Sequence, residues 1–499
     1  MRVSRLCFVL ITLFAGLRDR VMSCRASLSL WLCRLSLLVL PWGLAADTLT
    51  PVVTLDSEPR PISPYLVGLH QVYTFTPDHV FTKGEFPSWV RESGVSSSRF
   101  PGGTIVKYWD WEHPNGQPFE DPLSPEFDPT KNAPASDWMS LDEFLAWVDR
   151  TGIEPIFGVN SLEGRVHDRE AATIDRAVRM VRYVKERGHG GGLWYIGNEE
   201  AHLHGGIAGY AQTFRRYAEA MKAADPDIQI FWNDNNPNAT RIGEFLAHDG
   251  GTADGLETHG KWPYGGKPNL PPGTLEEWRD EVPLRDRKNG DRSAGGRAWR
   301  YAADEYRTIA AAAGRTLLIA NNEYGLGSGA NVVGFNRYTT GLLLSEMVME
   351  HVIGDWFTTC FWDLTRGPET GLLDGSNGYR LNPFHLGMTV LAPVQGGSYL
   401  QTLTTEQPGV HGFIAGQDGV IIVCVLNKST KSHTLQLDLR SQGYQPVRVR
   451  RMQDSADGYG ELAELAPTDF SDHLVLPPLT MTQWVWAPAA PLTPPIPRP

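Results

Sequence analysis

Short, continuous apolar runs recur between residues 64 and 364, and each ends in polar or aromatic side chains. They are PYLVGLH (64–70), SSSRFPGG (96–103), EPIFGVN (154–160), LWYIGNE (193–199), IQIFWNDN (228–235), ADGLETHG (253–260), LLIANNEYG (317–325) and DWFTTCFWDL (355–364). Apolarity that is unbroken rather than alternating marks strands buried on both faces. Between them, residues 137–151 place Trp138, Leu141, Phe144, Leu145 and Val148 at helical spacing, and 170–187, 207–224, 294–313 and 335–352 have the same texture. Strand–helix alternation predicts a parallel sheet. Eight strands over this length predict a closed (β/α)8 TIM barrel, in which functional side chains gather at the C-terminal strand ends.

From about Pro393 the helical period stops. GVIIVCVLN (419–427), HTLQLDL (433–439), PVRVRRM (446–452) and LTMTQWVWAP (479–488) read as strands separated by turn residues, predicting an all-β sandwich over 394–488. The strand TPVVTLD (50–56) precedes the barrel and is expected to join that sandwich. The expected organisation is a leader (1–46), an N-terminal strand region (47–62), an α/β barrel (63–393), the sandwich (394–488) and a Pro-rich disordered tail (489–499).

Charge, leader and cysteines narrow the classes. Lys and Arg number 45 against 57 Asp and Glu, for a formal charge of −12. Residues 1–46 hold six Arg and one Asp, so without them the balance becomes 39 − 56 = −17. That disfavours nucleic acid and polyanionic partners over the surface as a whole, while leaving room for a local basic cleft. SLSLWLCRLSLLVLPWGLAA (27–46) follows Arg25 and ends in small residues, the pattern of a secretory signal cleaved near Ala45 to Asp47. An earlier apolar run, Leu6 to Leu17, leaves both Met1 and Met22 as starts. A retained membrane anchor is the other reading, and the interrupting Arg34 favours cleavage. The expectation is a secreted or periplasmic protein with no stable membrane association after signal cleavage. Cys360 and Cys424 lie in different apolar segments, predicting buried free thiols.

The strand ends carry the chemistry. Strand four runs straight into Asn198, Glu199 and Glu200, and strand seven ends in Asn321, Asn322 and Glu323. A buried strand must solvate, pair or use such carboxylates. Other strand ends offer His70, Arg99, Asn160, Asn233, Asp234, His259, Trp362 and Asp363. Each alone is as easily a cap or a loop residue; together they would line one polar, aromatic cleft. Two glutamates facing across a barrel mouth are the machinery of glycoside hydrolysis, one giving a proton to the leaving oxygen and the other attacking the anomeric carbon or activating water. Trp109, Trp111 and Trp262, in loops, point either to a binding groove or to buried plugs.

WYIGNE resembles the strand-four motif of clan A glycoside hydrolases, and the glutamate ending LLIANNEYG matches the position of that clan's nucleophile. RFPGGTIVKYWDWE (99–112) and VTLDSEPRPISPYLVGLH (53–70) resemble segments of α-L-arabinofuranosidases, although the Thr-Ile-Val-Lys after Pro-Gly-Gly departs from them. The resemblance implies retaining hydrolysis, with Glu199 as acid/base and Glu323 as nucleophile. It implies that Asn198 bonds the sugar hydroxyl beside the anomeric carbon and that Arg99 keeps Glu323 ionised. His259, with Trp262 and Tyr264, would lie near the nucleophile. Trp362 would stack on a sugar face, while Asn160 and His70 would line the cleft and Glu200 would be a solvated rim neighbour. No metal or organic cofactor is implied, and the partner is a poly- or oligosaccharide. Agarase- or xylan-type endo-hydrolysis, a non-catalytic glycan-binding barrel, and a rim metal held by His202, His204 and His259 stay open as alternatives.

Overall fold

The computed structural model of the protein describes residues 47–51, 58–112, 137–262, 272–286, 297–326, 332–365, 367–465 and 473–489. The leader, most of the strand expected at 50–56, Tyr264 and residues 490–499 of the tail lie outside the described residues.

The strands β1 (Val67–His70), β2 (Ser97–Phe100), β3 (Glu154–Val159), β4 (Leu193–Ile196), β5 (Gln229–Asn233), β6 (Gly255–Thr258), β7 (Leu318–Tyr324) and β8 (Thr358–Phe361) fall on the eight apolar runs. All pair in parallel, and β6 pairs with β7 to close the barrel. Each strand is followed by a helix: α1 (Glu85–Ser93), α2 (Leu141–Thr151), α3 (Glu170–Val184), α4 (Ile207–Ala224), α5 (Ala239–His248), α6 (Trp299–Ala312), α7 (Arg337–Ile353) and α8 (Phe384–Leu391). The fold is a (β/α)8 barrel. Helix bounds shift from the periodic windows where local chemistry intervenes. α2 starts only at Leu141, because Ser140 and Glu143 form a reciprocal capping box. α3 loses its regular turns after Val184, ahead of Gly188 at φ 92°.

The barrel lumen is packed rather than open. Tyr195 from β4 fills it against Gly158 of β3, where an added Cβ would sit 2.2 Å from the Tyr195 ring. The Tyr195 hydroxyl donates to the Gly102 carbonyl at 2.5 Å, and the Arg99 guanidinium lies 4.0 Å above the ring centroid. This floor carries the polar cluster described below.

The C-terminal strands are β9 (Ser398–Thr404), β10 (Val410–Gln417), β11 (Val420–Asn427), β12 (His433–Gln436), β13 (Tyr444–Gln453), β14 (Glu461–Leu465), β15 (His473–Leu476) and β16 (Thr480–Pro488). β9, β10, β11, β16, β13 and β14 form one antiparallel sheet, and β12 pairs with β15. The short strand Arg60–Pro61 adds to the β9 edge, and Leu49 packs in the sandwich core. The inner face of the large sheet meets α7 and α8 in the same core as the barrel. The Tyr338 hydroxyl donates to the Met452 and Leu479 carbonyls, and Gln483 donates to the Val390 carbonyl. Cys360 and Cys424 are buried free thiols. Among the described residues no helix is long and apolar enough to cross a membrane.

Candidate active site

The chain after β4 turns sharply through two left-handed residues, Gly197 (φ 68°) and Glu199 (φ 51°). Glu199 is held there by its own N–H, which donates to Asn233 Oδ1 at 2.7 Å. A non-glycine residue adopts this conformation only when its surroundings enforce it. The turn presents the Glu199 carboxylate, with 25% of its side chain exposed, to His259 Nδ1 at 2.5 Å. Glu323, near the end of β7, reaches the same ring nitrogen, His259 Nδ1, at 3.6 Å and keeps 11% of its side chain exposed. One oxygen of each glutamate and a ring nitrogen of His259 all lie within 4.8 Å of one another.

Beneath them lies a fully buried layer. Arg99 donates to Asn198 Oδ1 at 2.9 Å and to Glu257 Oε1 at 2.5 Å, and lies 3.8 Å from Glu323. Glu257 also accepts from Asn233 and from Asn322. Burial alone would raise the Glu257 carboxyl, but the Arg99 guanidinium and the His259 contact bring it down to about 2. Glu323 follows the same logic. Burial opposes its charge, while His259 and then Lys261, with help from Arg99, hold its carboxyl below the ordinary glutamate range against the pull of Glu199. For His259, burial opposes the imidazolium, but Glu323 and the contacts with Glu199 and Glu257 raise its pKa above the usual histidine value. His70 is driven the other way, by burial and then by Arg99, so it is neutral and its Nε2 accepts from Arg99 at 3.2 Å.

His70, Arg99, Asn198, Glu199, His259 and Glu323 therefore meet in one cluster. Trp362, half-buried, borders it: the Lys261 ammonium lies 4.1 Å above its ring centroid and 3.6 Å from Glu323 Oε1. Other expectations need correcting. Trp262 is fully buried and donates to Glu281, so it offers no face to a sugar. Trp109 is buried as well, so Trp109 and Trp262 both pack into the core, whereas Trp111 is half-buried and lines a small cavity with Trp109 and Asn160. Asn160 accepts from Glu163 N at the start of the helical turn Leu162–Val166. Glu200 is not a solvated rim residue but completely buried. His202 is exposed and His204 buried, and among the described residues the ligand atoms that converge with His259 are those of Glu199 and Glu323.

Two participants were not anticipated. Glu257 is a carboxylate inside a four-residue strand with no exposed face, GLET, and that burial is the signal. Lys261 stands two residues past His259, inside the segment where an aromatic was expected to approach the nucleophile.

Comparison with known proteins bears on the class first. A family model described as alpha-L-arabinofuranosidase 1 domain matches residues 90–254. The likeness to clan A glycoside hydrolases drawn from the strand ends extends to this model, to arabinofuranosidase relatives and to the architecture. Among individual proteins, an intracellular exo-alpha-(1->5)-L-arabinofuranosidase of Streptomyces lividans is 28% identical over 209 residues. That match takes in 37% of this chain and 31% of the relative, so the chain aligns with less than a third of its length. The alpha-L-arabinofuranosidase of Thermotoga maritima, solved with arabinose, shares the fold with a TM-score of 0.62 at 14% identity, over 88% of this chain and 98% of that one. A Paenibacillus polymyxa xyloglucanase of glycoside hydrolase family 44 aligns with a TM-score of 0.60 at 12% identity, over 88% of this chain and 100% of its own.

Proposed function

We propose that this protein is a retaining glycoside hydrolase that works by double displacement. The observation that carries the reading is the convergence of Glu199 and Glu323 within 4.8 Å at the ends of β4 and β7. Retaining enzymes hold their carboxyl groups about 5–5.5 Å apart, whereas inverting ones leave about 6.5–9.5 Å for a water. Glu323, ionised among His259, Lys261 and Arg99, attacks the anomeric carbon. Glu199, open to the cleft, gives its proton to the departing oxygen. The covalent glycosyl ester on Glu323 is then opened by water, whose proton Glu199 takes back. Asn198, fixed by Arg99, faces the sugar hydroxyl next to the reacting carbon, and Trp362 supplies an apolar plane for a ring face.

The family match and the arabinofuranosidase relatives favour a terminal arabinofuranoside as substrate. A second reading, endo-hydrolysis of a xylan, agar or glucan chain, draws on the equal extent of the fold shared with the xyloglucanase. The apolar stretch 27–46 supports export before action, which N-terminal sequencing of protein from culture fluid and periplasm tests.

The function itself is tested by product release from aryl arabinofuranosides and from plant and algal polysaccharides, with Glu323→Gln alongside and NMR of the first-formed anomer. Release with retained configuration, lost in the variant, is the expected result. Equal release by both proteins removes Glu323 from the nucleophile role, and an inverted first product removes the double displacement. Binding of these glycans without turnover by either protein would leave a glycan-binding barrel.

A further inference from the structure

Glu199 and Glu200 are neighbours in the chain with opposite fates. Glu199 opens to the cleft; Glu200 folds beneath the turn and is completely buried. Its Oε1 accepts from the hydroxyl of Ser161, just past the end of β3. The same oxygen occupies the space a side chain at Gly197 would need, since a Cβ there would lie 1.4 Å from it. Oε2 faces His204 Nε2 at 3.9 Å, and His204 is itself buried. The Glu200 carbonyl accepts from Leu203 N at 2.8 Å, closing the turn that follows. Glu200 thus ties the turn after β4 to the end of β3, while the Glu199 N–H ties it to β5 through Asn233. With both ties made, Glu199 stays left-handed and its carboxylate meets His259 at 2.5 Å.

We infer that Glu200, anchored by Ser161, is a positioning residue that aims Glu199 at the leaving-group oxygen. The inference rests on the reading of Glu199 as acid/base. An anchor of this kind works through geometry, and small displacements of a catalytic group cost rate steeply. Its loss should weigh most where the leaving group needs a proton and least where it does not.

The test compares the wild type, Ser161→Ala, Glu200→Ala, Glu200→Gln and Glu199→Ala on phenyl and 2,4-dinitrophenyl α-L-arabinofuranosides. Ser161→Ala and Glu200→Ala should lower kcat/KM about tenfold or more on the phenyl glycoside and less than about threefold on the dinitrophenyl one. Glu200→Gln, whose amide oxygen still accepts from Ser161, should restore most of the loss. Equal losses on both glycosides, or none, would overturn the anchor. Glu199→Ala separates the two readings: if it lacks the leaving-group split, the acid/base assignment fails, whatever the anchor variants do. Should the wild type cleave neither glycoside, crystal structures decide. A lengthened Glu199–His259 contact in Ser161→Ala and Glu200→Ala supports the anchor, and an unchanged one overturns it.

Discussion

Two charge clusters in this chain have the same make-up. At the barrel mouth stand Glu199, Glu323 and His259; between barrel and sandwich stand Glu346 and Glu350 of α7 with His411 of β10. Each brings two carboxylates and an imidazole within 4.8 Å. The difference lies in exposure. At the inner cluster Lys428 donates to Glu346 at 2.8 Å, Trp278 donates to the other Glu346 oxygen, and Arg300 grips Glu350, with every member buried. At the mouth, Arg99 spends its close contact on Glu257 and stands 3.8 Å from Glu323, while Glu199 and Glu323 both keep exposed side-chain surface. Burial also pulls on Glu346, and Lys428 holds its carboxyl below the ordinary range, just as His259 and Lys261 do for Glu323. A perturbed carboxylate therefore does not by itself separate the two clusters; exposure does.

Substitution can break that contrast. Glu323→Gln should lower kcat by about 10⁴-fold or more, the scale on which nucleophile removal acts, whereas Glu346→Gln should leave kcat of the folded fraction unchanged; comparable losses of rate would erase the distinction. Lys428→Met should cost about 3–5 kcal/mol of stability by leaving Glu346 buried and unpaired, read as a lower denaturant midpoint at constant kcat. Glu257 sharpens the picture through pH. Its folded pKa of about 2 lies below the unfolded 4.5, so its stabilisation is present above the unfolded value and fades as pH falls from about 5 toward 2. That amounts to roughly 3 kcal/mol. Unfolding midpoints over that window should fall for the wild type and fall less for Glu257→Gln. The smallest effect is expected from Trp362→Ala, which removes a stacking plane worth about 1 kcal/mol and should raise KM about fivefold or less with kcat little changed.

The barrel was legible because strands such as EPIFGV and LWYI are apolar along nearly their whole length and alternate with helical segments. Helices α1, α5 and α8 escaped for different reasons. α1 carries Pro87 in its first turn; α5 buries only Ile242 and Phe245; α8, FHLGMTVL, is apolar nearly all round and has no stripe to find. In the sandwich, β9 and β14 are half-buried along most of their length, so neither a run nor an alternation stood out. Glu199 and Glu323 were readable as carboxylates at the ends of apolar strands. Glu257 sat inside a strand, and Lys261 beyond one, where reading only the last residue misses both. Glu200 misled because polarity at a loop was equated with solvation, whereas a left-handed turn sent successive side chains to opposite sides.

The ammonium of Lys428 also decides how this chain can be cut. A barrel trimmed near residue 393 would lose that ammonium from Glu346, the backbone carbonyls that receive the Tyr338 hydroxyl, and Tyr399, whose ring lies 4.5 Å from the Arg60 guanidinium. Arg60 itself, upstream of the first barrel strand, donates to the Val352 and Ile353 carbonyls at the end of α7. Sequence from both ends of the protein thus closes the outside of one helix. Transplanting this mouth into another scaffold, or recombining it with a foreign accessory module, requires moving both flanks along with it.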